Sequence, residues 1–596
     1  MTADPASNEA LQSYAAMSKS AFGRRRTAFP LDMTLADLIE RRIAIAPRIV
    51  DRTRRNVATT PTAILDRMKA KRSAVMLGAP GAGKSMALLQ AASTWSTAAV
   101  TPVLLRITDA VEELETLQKL ISESTSRQPL LLLDGLDEAM APQDYRPRVA
   151  KTLRTLLNAA PTILTSRTRD FEEASYLDAY GIVVDDVYEL MPWRPGVEFA
   201  QFVQQLHASG HVSNTTVVED VSRSPQLSRL ATRPLHARML TFIMEVDPAR
   251  PPENQNDLYG SYLYHLARVA DTSLTSRGCL LAQGALGFWM DVAWAVYTSR
   301  TATPDPNTLV RMSAAGDGHL SACLRSAIDM IADRIPHGGR ERLEFVHYSF
   351  YEWLLAARIR EPLSELPMTV DQLFETLSRD VPREVRHYLR HQTGTMSPQL
   401  TNDLVHLYLK AHERITDLQA TLVVCNLIVY LISRCAQDAG VPLRRLLDRE
   451  RDPFLTNALL WSLTHLGDRA ATVDFFRRFS DDEHWRRMTR GYTLYYYGDL
   501  NDVGGPPYLD SHPLGPYDRS LQALSGIFAS AASQNIPLER QAVDLVTILD
   551  ILHVRNIRVE RERLASIAAA ARHVTEGLDV PDVTRQIQTR LSSVLT

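Results

Sequence analysis

Hydrophobic and polar positions follow two different patterns along this chain. Between residues 73 and 190, short runs rich in Val, Ile and Leu alternate with stretches of helical periodicity. Runs that are apolar at nearly every position are typical of parallel strands covered on both faces. The runs span residues 73–78, 101–108, 129–134, 161–167 and 181–190. The pattern therefore predicts an α/β domain built on a parallel sheet.

After residue 190 the strand signal weakens and helical periodicity continues to the C terminus. Residues 335–345 are an exception, because Gly338 and Gly339 stand between two short extended runs, as in a β-hairpin. From about residue 361 onward amphipathic helices follow one another. A helical-repeat array is one interpretation of this region, although no period identifies a repeat family.

The N-terminal region differs from the rest of the chain in charge. Residues 1–30 are small, polar and without a sustained period, which predicts a flexible arm, and residues 31–72 read as a basic helical segment. Residues 1–72 hold fourteen Lys and Arg against seven Asp and Glu, a net charge of +7, which leaves −10 for the rest of a chain whose net charge is −3. A solvated basic surface is the simpler interpretation, and a contact with nucleic acid or an acidic partner is the alternative.

Composition excludes several classes of protein. The 596 residues, 45% hydrophobic and 23% charged, can form about three to five domains, and they fit neither a disordered nor a disulfide-scaffold protein. The most apolar window, residues 420–433, is too short to span a bilayer. Four cysteines without a CxxC pair, and an N terminus without an apolar signal region, predict a reduced cytoplasmic protein without a zinc site. They are Cys279, Cys323, Cys425 and Cys435.

The strongest chemical motif is GAPGAGKS at residues 78–85, which matches GxxxxGK[ST] and lies between a predicted strand and a predicted helix. Glycines let such a loop curl until its backbone N–H groups point at one anion, and the following helix adds the partial positive charge of its N terminus. Lys84 is expected to reach the β- and γ-phosphates of a nucleotide, and Ser85 to bind Mg²⁺. The predicted nucleotide-binding residues here are Gly78, Ala79, Pro80, Gly81, Ala82, Gly83, Lys84, Ser85 and Met86.

A second motif, LLLLDGLDEA at residues 130–139, is an apolar strand that ends in acids. Asp134 is expected at the end of that strand, where it can hold Mg²⁺ through water. Asp137 and Glu138 follow closely enough to orient the water that attacks a γ-phosphate, and the sequence does not decide between them. Arg167 comes just after another strand, at the edge where open α/β sheets bind ligands, and is the candidate γ-phosphate sensor, with Arg169 as the alternative.

The three motifs, in this order and spacing, resemble the NACHT branch of the signal-transduction (STAND) NTPases, which includes bacterial relatives of NOD-like receptors. The sequence DGLDE at residues 134–138 is the most specific element. The resemblance implies a multidomain α/β plus α fold: a P-loop NTPase domain with strand order 5-1-4-3-2, a helical domain, a winged-helix domain and a C-terminal helical domain. The expected boundaries are 73–190, 191–270, 271–360 and 361–596.

Two later segments extend the resemblance. Residues 228–244 are similar to the family's helical-domain motif, which places Pro234 against the adenine, although Thr232 stands where the family often has glycine or asparagine. Residues 345–359 are similar to the end of the family's winged-helix domain, with the hairpin at Gly338 and Gly339 as its wing. There the resemblance places His347 against the β-phosphate of bound ADP.

The resemblance implies an ATP/ADP-controlled switch with slow hydrolysis and Mg²⁺ as cofactor. Such a switch senses a ligand through its C-terminal helices, oligomerises with copies of itself and, in bacteria, acts in antiphage defence. No effector domain is recognisable, so a separate effector protein is an expected partner, the trigger is unknown and a phage component is one candidate. A turnover ATPase of the AAA+ type that remodels a substrate, and a STAND-type transcriptional regulator, are the alternatives. Neither a membrane nor a nucleic acid is indicated as a partner.

Overall fold

The computed structural model describes most of the chain, and among the described residues contacts divide it into two compact units, one up to Leu354 and one from Leu355. The described residues are 5–26, 33–54, 57–70, 73–97, 99–124, 127–140, 145–167, 180–276, 284–298, 318–337, 340–364, 381, 383–393, 395–414, 418–481, 483, 485–486, 489, 536–554, 561–578 and 580–595.

The first unit begins with a helix, α1 (Pro5–Gly23), where the sequence predicted a flexible arm. Leu11, Ala15, Ser18 and Phe22 are buried along one face of α1, at the three- and four-residue spacings of a helix. Leu11 and Ala15 join the core beneath the sheet, and Tyr14 donates a hydrogen bond to Glu113. The arm prediction was wrong because three apolar positions among many small residues carry a weak periodic signal.

The following segment, predicted to be helical over residues 31–72, also contains a β-hairpin. Its elements are α2 (Leu35–Glu40), β1 (Ile49–Asp51), β2 (Val57–Thr59) and α3 (Pro61–Met68). Each of the two strands has only three residues, too few to show an alternation in the sequence. The pair extends the main sheet, so part of the predicted N-terminal segment belongs structurally to the α/β domain.

The main sheet of seven strands has the order β2-β1-β7-β3-β6-β5-β4. Five of the strands are parallel, and β1 joins β7 in antiparallel orientation. Within the parallel part the order is 5-1-4-3-2, which confirms the prediction. These strands are β3 (Ser73–Leu77), β4 (Val100–Arg106), β5 (Gln128–Asp134), β6 (Thr162–Ser166) and β7 (Asp186–Leu190).

Helices cover both faces of this sheet. Alternate residues of one strand point to opposite faces, and two hydrophobic clusters follow this alternation: Val75 and Leu131 belong to one, Met76 and Leu132 to the other. The near-continuous apolar strands of the sequence are thus buried on two sides. The covering helices within the α/β domain are α4 (Lys84–Thr94), α5 (Ile107–Glu112), α6 (Leu114–Glu123), α7 (Leu136–Met140) and α8 (Arg146–Ala159).

Beyond β7 the first unit is mainly helical. It contains a π-helical turn at Pro195–Phe199, α9 (Ala200–Ala208), α10 (Thr216–Arg223), α11 (Pro225–Leu230), α12 (Pro234–Val246), α13 (Gln255–Ser276), α14 (Gly284–Thr298) and α15 (Gly318–Ile328). The predicted hairpin is present as antiparallel strands β8 (Ala332–His337) and β9 (Arg340–Phe345), whereas Gly338 and Gly339 lie outside the described residues. Helix α16 (Tyr348–Ser364) follows, and its first seven residues belong to the first unit.

The second unit is helical in all of its described elements. They are α17 (Arg383–Thr393), α18 (Pro398–Arg414), α19 (Leu418–Cys435), α20 (Gly440–Leu447), α21 (Pro453–His465), α22 (Arg469–Asp481), α23 (Leu538–Val554), α24 (Arg561–Leu578) and α25 (Pro581–Leu595). Helix α21 is buried at every position from Leu455 to His465. None of the helices, within the described ranges, combines the length and hydropathy needed to cross a membrane.

The cysteines depart from one expectation. Cys323 is disulfide-bonded, whereas Cys425 and Cys435 are buried thiols. The prediction that every thiol is reduced was wrong for Cys323, because spacing along a sequence does not reveal which thiols a fold brings together.

Candidate functional site

The glycine loop at residues 78–85 connects β3 to α4, as its motif predicts. Gly81 and Gly83 have φ values of +74° and +89°, in the left-handed region that side chains disfavour. Gly83 is the N-cap residue of α4, so the chain turns sharply into the helix whose N terminus faces the loop. At Gly81 an added Cβ atom would lie 2.9 Å from Leu235 Cβ, so the loop also packs tightly against α12.

Lys84 folds across this loop. Its Nζ donates to the carbonyl oxygens of Gly78 at 2.9 Å and Ala79 at 3.4 Å. Burial lowers the pKa of Lys84, while the nearby carboxylate of Asp137 opposes that shift. The ammonium group is therefore held at the loop by two carbonyls, which a phosphate can replace as partner.

Asp134 ends β5 beside the loop and accepts two hydrogen bonds from hydroxyl groups. Ser85 Oγ donates to its Oδ2 at 2.7 Å, and Thr165 Oγ1 donates to its Oδ1 at 2.6 Å. Thr165 in turn accepts from the backbone N–H of Gly135 at 2.9 Å. Ser85 and Asp134 thus bring a hydroxyl and a carboxylate oxygen together, the hard oxygen donors that Mg²⁺ prefers. The role of Thr165 was not predicted.

The two acids that the sequence did not distinguish have different partners. Asp137 binds Arg167 twice, through Nε to Oδ2 at 2.8 Å and through the backbone N–H to Oδ1 at 3.1 Å. Glu138 Oε2 instead lies 3.3 Å from a terminal nitrogen of Arg106. Burial raises the pKa of Glu138, and the guanidinium of Arg106 opposes that shift. Asp137 is therefore committed to Arg167, whereas Glu138 pairs with Arg106 through a single longer contact.

Arg167 follows β6 at the carboxyl edge of the sheet, where the sequence placed it. Besides Asp137 it binds Glu352 of α16, with a terminal nitrogen 2.9 Å from Oε1, and its guanidinium lies over the ring of Tyr348 at 5.4 Å. Only 7% of the residue is exposed. Arg169, the alternative, lies outside the described residues.

Pro234 and His347 both reach the site. Pro234 begins α12, where its ring packs against Gly83, and the next backbone N–H, of Leu235, donates to the Gly81 carbonyl at 3.1 Å. His347 precedes α16, and its Nδ1 accepts from the backbone N–H of Ser349 at 3.2 Å. Burial, followed by the positive charge of Arg167, lowers the pKa of His347 to about 3. The imidazole is therefore neutral near pH 7.

Most of the residues described above line one cavity of about 160 Å³. Two of the predicted binding residues, Gly78 and Ala79, are not in its wall and contact Lys84 instead. Among the residues that the structure describes, six basic side chains and three acidic ones line the cavity, which gives it a net positive charge. The predicted residues in the wall are Pro80, Gly81, Ala82, Gly83, Lys84, Ser85, Met86, Asp134, Asp137, Glu138, Arg167, Pro234 and His347.

Sequence reasoning missed several cationic groups in the wall. Arg106 ends β4 at the same edge as Arg167, so the strand-end argument could have found it. Arg238 stands one helical turn after Pro234 on α12, and burial lowers its pKa to about 10. Arg25 Nη1 lies 3.8 Å from Asp134 Oδ2, and Arg26 is also in the wall. Arg25 and Arg26 gave no signal because they were assigned to a flexible arm.

The sheet order, the glycine loop after β3 and the acidic end of β5 together define a P-loop NTPase fold, followed by a C-terminal helical region. No protein-family model matches the chain, and no curated protein is a significant relative by sequence. The fold is therefore defined by the strand order and the glycine loop of this chain.

Several solved structures share a partial similarity. A STAND protein with a tetratricopeptide repeat sensor from Pyrococcus horikoshii is 10% identical, with a TM-score of 0.27, over 90% of this chain and 80% of that chain. The ORC1 protein of Aeropyrum pernix, solved with DNA, is 11% identical, with a TM-score of 0.27, over 51% and 91%. A RuvB mutant of Thermotoga maritima is 16% identical, with a TM-score of 0.22, over 48% and 89%.

Proposed function

We propose that this protein is an ATP/ADP-controlled switch of the NACHT/STAND type. One observation carries the proposal: the phosphate loop, the start of α12 and the start of α16 line the same cavity. A nucleotide bound there contacts three successive parts of the first unit. Its binding free energy therefore depends on how those parts are arranged, which is the requirement for a ligand-controlled equilibrium.

The cavity suits a polyphosphate. Lys84, Arg106, Arg167 and Arg238 contribute positive charge, and the helix N terminus at Gly83 faces the loop. Ser85 and Asp134 would hold Mg²⁺, which would neutralise phosphate charge and orient the phosphate groups. Of the two acids, Glu138 is the better group to orient an attacking water, because Asp137 is committed to Arg167.

The position of His347 and Tyr348 in the cavity wall favours a switch over a continuously turning motor. His347 is neutral and faces the cavity beside Tyr348, so α16 contributes to the wall that a bound nucleotide touches. Opening of this wall would remove the His347 contact and weaken ADP binding. Sensing by the C-terminal helices, self-association, a separate effector and a role in antiviral defence remain proposals based on the sequence resemblance to NACHT proteins.

Binding and turnover of nucleotide test the proposal together. The wild-type chain is titrated calorimetrically with ADP and with the non-hydrolysable analogue AMP-PNP, each with Mg²⁺, and ATP hydrolysis is followed separately. Lys84→Ala is expected to weaken binding of both nucleotides by about one to two orders of magnitude, because it removes a charge-assisted contact of about 1.5–3 kcal/mol. The matched control is Lys69→Ala, which removes a half-exposed lysine that binds Asp66 at the end of α3.

The rate distinguishes a switch from a motor. We expect the unstimulated chain to hydrolyse less than about one ATP per minute, within the range of regulatory P-loop switches before activation. Steady hydrolysis well above that rate, lost in Lys84→Ala and kept in Lys69→Ala, would support the remodelling ATPase instead. Absence of binding that depends on Lys84 would contradict both functions.

A further inference from the structure

Arg167 is held by two carboxylates from different parts of the first unit. Asp137 is in α7, directly after β5, and Glu352 is in the second turn of α16. The side chains of Arg167 and Asp137 are each 8% exposed, and that of Glu352 is 2% exposed. An ion pair buried to this extent has a high desolvation cost, so its partners are strongly destabilised if either is left alone.

The two carboxylates bind different nitrogens of the guanidinium. Nε faces Asp137, and one terminal nitrogen faces Glu352. Tyr348, four residues before Glu352, places its ring under the same guanidinium, so two side chains from one face of α16 contact Arg167. These contacts connect α16 to the residue that is expected to bind the γ-phosphate.

Of the two carboxylates, only Glu352 can be replaced by a phosphate as partner of Arg167 without disturbing the sheet edge. Asp137 also accepts the backbone N–H of Arg167, so Asp137 and Arg167 are fixed to each other by main chain as well as side chain. Glu352 reaches Arg167 through its side chain, from a helix 185 positions further along the chain. A γ-phosphate at Arg167 would place a third anion on one guanidinium, and the repulsion would act most easily on Glu352.

We propose that Glu352 and the γ-phosphate of ATP compete for Arg167, so that ATP, and not ADP, breaks the ion pair that holds α16 at the nucleotide site. The proposal rests on the nucleotide switch described above and assigns the discrimination between ATP and ADP to one ion pair. Glu352 acts through Arg167 and does not contact the nucleotide. By linkage, whatever pulls α16 away also raises the affinity for ATP relative to ADP.

The test is the preference for AMP-PNP over ADP, measured with Mg²⁺ on the full chain. Glu352→Gln keeps the size of the side chain and removes its charge, so AMP-PNP no longer has to displace a carboxylate. The ratio of the ADP dissociation constant to the AMP-PNP dissociation constant is expected to rise about tenfold over wild type. A variant that is only less stable would weaken binding of both nucleotides and would leave this ratio unchanged.

Two further variants sharpen the measurement. Glu361→Gln removes an acid on the same helix that is 50% exposed and paired with Arg358, and it should leave the ratio as in wild type. Arg167→Gln removes the shared partner, so adding Glu352→Gln to it should change nothing. A ratio that is unchanged in Glu352→Gln, or that changes equally with and without Arg167, would overturn the proposal.

A measurement on the wild-type chain covers the case in which Glu352→Gln does not fold. Hydrogen exchange of the backbone amides in the first two turns of α16 should be faster with AMP-PNP than with ADP. Equal exchange with both nucleotides would overturn the proposal. Failure of the proposed function would instead show as binding that does not depend on Lys84, so the two failures are distinguishable.

Discussion

Ser85 donates a hydrogen bond to Asp134, with Oγ 2.7 Å from Oδ2, although the two residues are 49 positions apart in the sequence. The first belongs to the phosphate loop and the second to the end of a neighbouring strand. Thr165 holds the other oxygen of the same carboxylate. The orientation of Asp134 is thus set before any ion binds, which is how a preorganised magnesium site limits the cost of binding.

The first prediction concerns this carboxylate. Asp134→Asn should lower Mg²⁺-dependent ATP hydrolysis by at least about 100-fold, because an amide neither carries the negative charge nor accepts both hydroxyl groups equally well. Binding of ADP in excess EDTA should change much less. Asp66→Asn, at an acid that is 61% exposed on α3, is the control. Equal loss of ADP binding with and without Mg²⁺ would show that Asp134 has a structural role only.

The second prediction separates backbone strain from crowding in the phosphate loop. Gly81 and Gly210 have nearly equal φ values, +74° and +75°, but an added Cβ at Gly81 meets Leu235 at 2.9 Å and one at Gly210 meets nothing within 4 Å. Gly210→Ala should cost about 1 kcal/mol of stability from strain alone. Gly81→Ala should cost more and should also weaken nucleotide binding.

Thermal unfolding and ADP titration of both glycine variants measure these effects. Loss of ADP affinity in Gly81→Ala with normal affinity in Gly210→Ala is the expected pair of results. Normal affinity in both variants would mean that the contact between the loop and α12 does not shape the site.

The third prediction concerns pH. The folded pKa of His347 is about 3, against about 6.5 in an unfolded chain. Below pH 6.5 the unfolded chain takes up a proton that the folded chain does not, so stability decreases as the pH falls from about 6.5 toward 3. In nucleotide-free protein, His347→Gln should remove about 1 kcal/mol of this loss between pH 7 and pH 5.5.

Urea unfolding at several pH values, with wild type and variant side by side, isolates the contribution of His347. His207→Gln, which replaces an exposed histidine at the end of α9, is the control for the substitution itself. If His347→Gln follows the same pH curve as wild type, the imidazole is not held neutral by its surroundings.

The fourth prediction lies in the second unit. His465 Nδ1 is 2.8 Å from the Trp461 carbonyl oxygen, which can only accept, so this nitrogen carries a proton. Burial lowers the pKa of His465 well below its usual value and raises that of Asp544 well above its own. Both shifts favour the uncharged forms, so we expect a neutral pair in which the carboxyl of Asp544 donates to Nε2, 2.9 Å away.

Substitutions at Asp544 test this protonation state. Asp544→Asn keeps a donor for Nε2 and should lower the free energy of unfolding by less than about 1 kcal/mol. Asp544→Ala leaves a buried acceptor unpaired and should lower it by about 2 kcal/mol. Urea unfolding followed by tryptophan fluorescence measures both. If the Asn variant is as unstable as the Ala variant, the pair is ionised in the folded protein.

Much of the α/β domain and its site was predictable because it depends on local rules. Apolar runs predict parallel strands, and the carboxyl ends of such strands meet at one edge, so the loop, Asp134 and Arg167 had to converge. The hairpin at β8 and β9 was also predictable, since two extended runs flank a glycine pair. The strand order came from the family resemblance and agrees with the structure.

The remaining parts depend on contacts between distant segments. Glu352 is 185 positions from Arg167, and nothing in either local sequence indicates the pairing. Arg25 reaches Asp134 only because α1 docks on the sheet, and the strands β1 and β2 are three residues long. Short elements and long-range ion pairs leave no periodic signal in a sequence, so only the structure reveals them.

The central claim is that this cavity holds a nucleotide that controls a conformational switch. The most direct measurement identifies the nucleotide carried by the purified, untreated protein, by denaturing it and separating the supernatant by ion-exchange chromatography beside the Lys84→Ala variant. The account predicts close to one ADP per chain in wild type and none in the variant. An empty site in wild-type protein that continuously hydrolyses added ATP would contradict it.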